Sequence, residues 1–338
     1  MADTSVDVPL LSAAERAALF AEVSAEPGAA KPDPVIVVDD ISRSFGGLKA
    51  VDVTHLEIQR GCITGLIGPN GAGKTTFFNL LTGFDRPDTG SWTMDGVNLC
   101  NLNPHQVARR GVVRTFQLTK ALSKMSVLDN VKLGASNQTG ERILSSLLRF
   151  TWRKQESAIT ARAQEMLARF KLDTKADDMA GSLSGGQRKL LEMARALMTD
   201  PKVIMLDEPM SGVNPALTQS LLEHVKSLRD EGMTVVFVEH DMDVIRDISD
   251  WVVVMAQGTV IAESTPESLS DNSAVVDAYL GSHHDQALEF DDDGNPVGAT
   301  AVLAEELEQA VAETIEAGGD LSQPVEAADV TGRHRRHD

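Results

Sequence analysis

Four short, mostly apolar runs punctuate the chain: Val35–Val38, Cys62–Ile67, Val203–Leu206 and Thr234–Glu239. Each is too short for a helix and is bounded by polar or Gly-rich sequence, so each reads as a buried strand. Helical patterns lie between and after them. One starts at Thr75 and ends near Gly83, a second spans Pro215–Asp230 and a third spans Met242–Ile248. Residues 125–180 carry apolar positions at 3.6-residue spacing with few strand signals, and read as a helical insertion. Trp251–Met255 and Thr259–Ala262, around Gln257-Gly258, read as a hairpin-like pair. Strands alternating with helices predict an α/β fold with a parallel sheet. No repeat at a 20–50-residue period is present.

The pattern changes at both ends. Residues 1–34 read as an extension: a short amphipathic piece at Ala13–Val23, then an Ala- and Pro-rich linker closing on Lys31-Pro32-Asp33-Pro34. Residues 35–281 read as the globular body. Residues 282–338 read as an acidic tail, largely disordered or forming one amphipathic helix over Ala301–Ala317, where Leu303, Leu307, Val311 and Ile315 fall four apart. Charge follows this division. The 338 residues carry a net −19, and residues 285–338 hold 14 Asp and Glu against 3 Arg, so the tail supplies −11 of it.

Several function classes drop out. An acidic chain lacks the basic stripes of sequence-independent nucleic-acid binding, so no nucleic-acid partner is expected. No apolar run reaches the roughly 18 residues of a membrane span, and Met1-Ala2-Asp3-Thr4 does not start a signal peptide. The expectation is a soluble, cytoplasmic chain that reaches a membrane only through a partner. The two cysteines, Cys62 and Cys100, have no metal-like spacing and fit a reducing compartment.

The candidate chemistry begins at Gly68-Pro69-Asn70-Gly71-Ala72-Gly73-Lys74-Thr75, with Thr76 behind it. This is G-x-x-x-x-G-K-[ST], following a strand and opening a helix. Glycines let backbone N–H groups turn toward phosphate oxygens, and a helix N-terminus adds partial positive charge. Lys74 is placed to reach the β- and γ-phosphates of ATP, and Thr75 to offer a hydroxyl to Mg²⁺. Further on, Asp207-Glu208 closes the apolar strand Val203–Leu206. A carboxylate there reaches a metal beside a phosphate loop, which assigns Asp207 to Mg²⁺ and Glu208 to the attacking water as general base.

Leu183-Ser184-Gly185-Gly186-Gln187 precedes a helical run. A helix N-terminus with a Ser hydroxyl and two glycines is a second phosphate cradle. With this motif between the phosphate loop and the Asp-Glu strand end, residues 35–281 resemble the ATP-binding subunits of ABC transporters. The resemblance implies a P-loop NTPase core of ABC ATPase type, with an N-terminal antiparallel β portion and a helical subdomain at about residues 118–182. It implies that Ser184, Gly185, Gly186 and Gln187 act across a dimer, with two ATP molecules sandwiched head to tail. It also places Phe45 on adenine, Gln117 at the γ-phosphate and Mg²⁺, and His240 at the γ-phosphate. Asn214 falls in the inter-subunit loop, where many members carry Asp.

Finer wording narrows the resemblance. Gly68–Gly83 reads GPNGAGKTTFFNLLTG, followed by Arg114-Thr115-Phe116-Gln117, Asn214-Pro215 and Glu239-His240-Asp241-Met242. The combination looks like the motor subunits of branched-chain amino acid importers and their urea and short-amide relatives. The plain Leu-Ser-Gly-Gly-Gln departs from the Tyr-containing form often found in amino acid importers. An exporter motor for lipid-type cargo shares part of the wording, and a soluble non-transport ABC ATPase is the alternative from another class. The importer reading implies a homodimer or a heterodimer with a paralogous ATP-binding subunit, integral membrane permease subunits, and indirect contact with a substrate-binding protein. It places the chain peripherally on the cytoplasmic face of the cell membrane.

Overall fold

The computed structural model describes residues 10–115, 122–136 and 149–272, with Ala274, Val275 and Ala278. Its centre is a six-stranded sheet. In chain order these strands are β3 (Ile63–Ile67), β6 (Val112–Arg114), β7 (Val203–Asp207), β8 (Thr234–Val238), β9 (Trp251–Ala256) and β10 (Thr259–Ser264). The spatial order is β10-β9-β3-β8-β7-β6, and every pairing is parallel except the β9–β10 hairpin. Three of the four runs of the sequence, Cys62–Ile67, Val203–Leu206 and Thr234–Glu239, supply its strands β3, β7 and β8, and are continuous apolar stretches because both faces of this sheet are covered. Successive residues go to alternate sides: Ile204, Leu206, Val235 and Phe237 enter one core, while Val203, Met205, Val236 and Val238 enter the other.

The second sheet is antiparallel, with order β2-β1-β4-β5, from β1 (Pro34–Phe45), β2 (Leu48–Gln59), β4 (Thr89–Met94) and β5 (Val97–Asn98). The Val35–Val38 run is only the first third of β1. Helix α2 (Lys74–Leu81) lies with this sheet's buried side chains in one core, through Phe77, Phe78, Leu80 and Leu81. The helix stops at Leu81, two residues before Gly83, which takes φ 72°. A Cβ at Gly83 would lie 2.7 Å from the Leu102 carbonyl oxygen. Helix α3 (Pro104–Arg109) leads into β6.

On the other face, α4 (Val127–Lys132), α5 (Arg149–Arg169) and α6 (Gly185–Leu197) form the helical part. Helix α6 is sharply amphipathic, turning Leu190, Leu191, Met193, Ala194 and Leu197 into the core. Helices α7 (Pro215–Asp230) and α8 (Met242–Ile248) cover the rest of that face. Among the described residues no helix is long and apolar enough to cross a membrane.

Helix α1 (Ala13–Ala21), in the N-terminal segment, packs onto the body. Phe20 stacks on Trp251 at 5.0 Å between ring centroids, and the buried Arg16 pairs with Asp250 at 3.2 Å. Farther along, Lys31 and Glu263 form an ion pair at 2.9 Å with both side chains fully buried. The Glu263 carboxylate also accepts from Trp251 Nε1 at 3.0 Å and from Gly28 N–H at 2.7 Å. The tail proposed for 282–338 lies outside the described residues.

Candidate active site

The sheet register brings the chemistry to one edge. Leu66 of β3 and Asp207 of β7 both pair with Val238 of the intervening β8, so three strands end together. Carboxyl ends of parallel strands are where α/β sheets present ligand sites. The phosphate loop leaves β3 there. Gly68 (φ 147°) is forced by crowding, since a Cβ would sit 2.0 Å from the Met255 carbonyl oxygen of β9. Gly73 (φ 97°) is forced likewise by the Ala50 carbonyl oxygen, 2.3 Å from a Cβ. The turn of the β9–β10 hairpin braces the loop, with Gly258 N–H donating to the Ala72 carbonyl at 3.0 Å.

Helix α2 starts immediately, and its N-cap Gly73 offers no side-chain acceptor to the first-turn N–H groups. Lys74 is buried. Its Nζ donates to the carbonyls of Gly68 at 2.5 Å and Pro69 at 2.9 Å. Burial pushes the Lys74 ammonium below the usual lysine range, against the opposing pull of the Glu208 and Asp207 carboxylates. Lys74, Asp207 and Glu208 therefore share one electrostatic site. Thr75 is exposed at its mouth and Thr76 lies behind it, half-buried.

Asp207 is buried at the strand end and paired with Arg114 Nη2 at 2.5 Å. The other arm of Arg114 reaches Asn79 Oδ1 on α2 at 2.6 Å. Glu208 takes a left-handed backbone, φ 46°, a conformation that costs a non-glycine residue about 1–3 kcal/mol and collects at functional sites. Its N–H donates to the Val238 carbonyl at 3.0 Å, and its Oε1 lies 3.9 Å from Nδ1 of the exposed His240. Next to His240, the buried Glu239 accepts from Met210 N–H at 2.9 Å. Burial pushes the Glu239 carboxyl above the usual carboxylate range.

Ser184 is the N-cap of α6 in a full capping box. Its hydroxyl accepts from Gln187 N–H at 3.3 Å, and Gln187 Oε1 accepts from Ser184 N–H at 3.0 Å. The two glycines differ. A Cβ on Gly186 would lie 1.9 Å from Leu217 Cδ2, whereas Gly185 faces open space. Lys189, one turn further on, donates from Nζ to the carbonyls of Glu208, Pro209 and Ser211. Asn214 caps α7, accepting from Leu217 N–H at 3.0 Å. Among the described residues, no hydrogen bond joins Ser184–Gln187 to the Lys74 loop.

Phe45 is 49 % exposed at the end of β1, with the Arg43 guanidinium 4.8 Å from its ring centroid. It is therefore a surface aromatic and not a core residue. Gln117 lies outside the described residues. Sequence reasoning gave no role to Arg114 and Glu239, which it quoted only as family wording, and passed over Lys189. The pairing that gives each its meaning comes from another strand or helix.

A phosphate loop and an Asp-Glu strand end on one sheet edge, with a capped Ser-Gly-Gly helix tied to the Glu208 loop, define a P-loop ATPase cassette. The ABC transporter family model matches residues 51–211. A probable branched-chain amino acid transport ATP-binding protein of Archaeoglobus fulgidus is 43% identical over 247 residues, 73% of this chain and 95% of that one. A high-affinity branched-chain amino acid transport ATP-binding protein of Pseudomonas aeruginosa is 40% identical over 250 residues, 73% of this chain and 98% of its own length. Among solved structures, the ADP conformation of an ABC transporter ATP-binding cassette superposes with a TM-score of 0.64 at 36% identity, covering 73% of this chain and 99% of that one. The chain belongs to the ATP-binding subunits of ABC transporters.

Proposed function

We propose that this chain is the motor subunit of an importer for branched-chain amino acids, binding ATP to close a dimer and hydrolysing it to reopen that dimer. The carrying observation is the convergence of Lys74, Asp207, Glu208 and His240 on one sheet edge, in a chain 43% identical to a branched-chain amino acid transport ATP-binding protein. The Gly68–Gly73 loop, Pro69 included, wraps the phosphates, with backbone N–H groups of Asn70, Gly71, Ala72 and Gly73 as donors and Thr76 close behind. Lys74 swings from the loop carbonyls to the β- and γ-phosphate oxygens, exchanging neutral acceptors for charged ones. Phe45 stacks on the adenine.

The Thr75 hydroxyl and the Asp207 carboxylate, with Gln117, are hard oxygen donors of the kind Mg²⁺ takes alongside phosphate oxygens and water. A bound Mg²⁺ would neutralise charge on the β- and γ-phosphates. Arg114 holds the Asp207 carboxylate in place at the strand end. Glu208 takes a proton from the attacking water as its oxygen bonds to the γ-phosphorus and the bond to the ADP oxygen breaks. His240, beside Glu208, contacts the γ-phosphate.

The domain boundaries follow the same reading: an ATP-binding domain at 35–281 with a helical subdomain near 118–182, an N-terminal extension at 1–34, and an acidic tail at 282–338. The partners are a second copy or a paralogous ATP-binding subunit, and integral membrane permeases that connect it indirectly to a substrate-binding protein. The chain then sits peripherally on the cytoplasmic face of the cell membrane. Ser184, Gly185, Gly186 and Gln187 close on the nucleotide of the opposite subunit, and the open space at Gly185 suits that approach.

The test is uptake of labelled leucine, isoleucine, valine and urea in a deletion strain complemented with wild type or Glu208→Gln. Amino acid uptake restored by wild type alone is expected. Loss confined to urea moves the chain to the urea and amide importers. No uptake defect at all removes the importer reading.

A further inference from the structure

The loop after β7 contains an arrangement that the nucleotide site does not itself require. Glu208 is left-handed, and two side chains from different elements fasten the backbone that follows it. Lys189 of α6 sends Nζ to the carbonyl oxygens of Glu208 at 3.0 Å, Pro209 at 3.0 Å and Ser211 at 2.5 Å. An ammonium has three N–H donors, and three carbonyls take them all. A second fastening comes from the end of β8, where Glu239 accepts Met210 N–H at 2.9 Å. The turn closes on itself with Ser211 N–H donating to the Glu208 carbonyl at 3.2 Å.

A lysine serving only as a solvated helix residue would extend toward water. Here the ammonium is drawn inward among Glu239, Glu192 and Glu208. Its target is the segment that opens on the left-handed Glu208. Lys189 is also one turn from Ser184, so the same helix carries the Ser-Gly-Gly end and the clamp.

We propose that Lys189 is a positioning residue for ATP hydrolysis: its three hydrogen bonds hold the Glu208–Ser211 backbone so that the Glu208 carboxylate stays aimed at the attacking water. The inference rests on the reading of Glu208 as the general base. Lys189 itself touches no nucleotide. Its loss therefore slows the chemical step and leaves ATP binding alone.

The experiment is steady-state ATPase kinetics and ATP calorimetry on the full-length chain, comparing wild type with Lys189→Met, Lys189→Gln, Lys189→Arg and Glu208→Gln. Misaiming a catalytic group by about an ångström costs up to ~100-fold in rate. Lys189→Met is therefore expected to lower kcat by ~10–100-fold with KM and the ATP dissociation constant within about twofold of wild type. Lys189→Arg, which keeps charge and several donors, is expected to recover most of kcat. Lys189→Gln, with two donors, falls between Met and wild type and keeps the comparison readable if Lys189→Met does not fold. Wild-type kcat in Lys189→Met or Lys189→Gln overturns the proposal, as does Lys189→Arg at the Met level. A loss appearing in KM with kcat unchanged overturns it too. If Glu208→Gln hydrolyses ATP at the wild-type rate, the base assignment fails, separately from the Lys189 result.

Discussion

At the residue scale, the site is held by charges that burial has shifted. Glu239 shows this most directly: it is buried beside His240, its carboxyl is raised mainly by desolvation, and the Met210 N–H it accepts opposes that only in part. A carboxyl whose folded value lies above its unfolded one contributes stability that is fully present below the unfolded pKa and lost as pH rises through the folded one. Replacement by Gln keeps an acceptor for Met210 and removes the titration. The melting temperature of Glu239→Gln minus that of wild type is therefore expected to be more positive at about pH 8 than at about pH 5. An equal difference at both pH values, read by scanning calorimetry, would show that Glu239 does not carry the shift. Cys62 is the contrasting case. Burial pushes its thiol up to about 12, so no thiolate forms there at neutral pH, and a buried cysteine of this kind is chemically inert.

At the scale of elements, the N-terminal segment is the part that sequence pattern undervalues. Pro- and Ala-rich sequence reads as a linker, yet Lys31 lies at the end of it with its ammonium fully buried on Glu263 and 4.7 Å from the centroid of Trp251. Removing one member of a buried pair leaves an uncompensated charge and costs about 3–5 kcal/mol. Lys31→Met is expected to destabilise the chain by about that amount in urea unfolding. A change below about 1 kcal/mol, the value of an exposed pair, would mean that the segment does not hold to β9 and β10 as described. The second antiparallel strand is a related omission. In β2 the buried apolar positions are Val51 and Val53, then Leu56 and Ile58, so the buried face changes midway and the alternation that marks a strand is broken.

At the scale of the whole molecule, Ser184 and Lys74 belong to different helix N-termini, and no hydrogen bond among the described residues joins the two motifs. In the proposed sandwich, two copies facing each other bring each Ser184 end to the other's Lys74 loop. Glu208→Gln removes the proposed base while keeping the side chain's size. It is expected to accumulate as an ATP-bound dimer in size-exclusion chromatography with light scattering, while wild type returns to monomer as ATP is consumed. A variant that stays monomeric at saturating ATP counts against both the base assignment and the sandwich.

Sequence alone determined what is local in the chain. Gly68–Thr75, Asp207-Glu208 and Leu183–Gln187 each carry their chemistry within a few consecutive residues, because a phosphate cradle is one turn of backbone and a strand end is one step long. The central parallel strands β3, β7 and β8 were legible because both-face burial makes each a continuous apolar run, whereas the three-residue β6, buried only at Val112, was not. Tertiary structure alone decided which side chains hold these pieces. The pairing of Arg114 with Asp207, the Lys189 clamp, the burial of Glu239 and the docking of Lys31 on Glu263 join residues 19 to 232 positions apart. No periodicity encodes such partners. They arise only when the β10-β9-β3-β8-β7-β6 order sets distant segments side by side, and a polar group withdrawn from water must then find whatever partner the packing supplies.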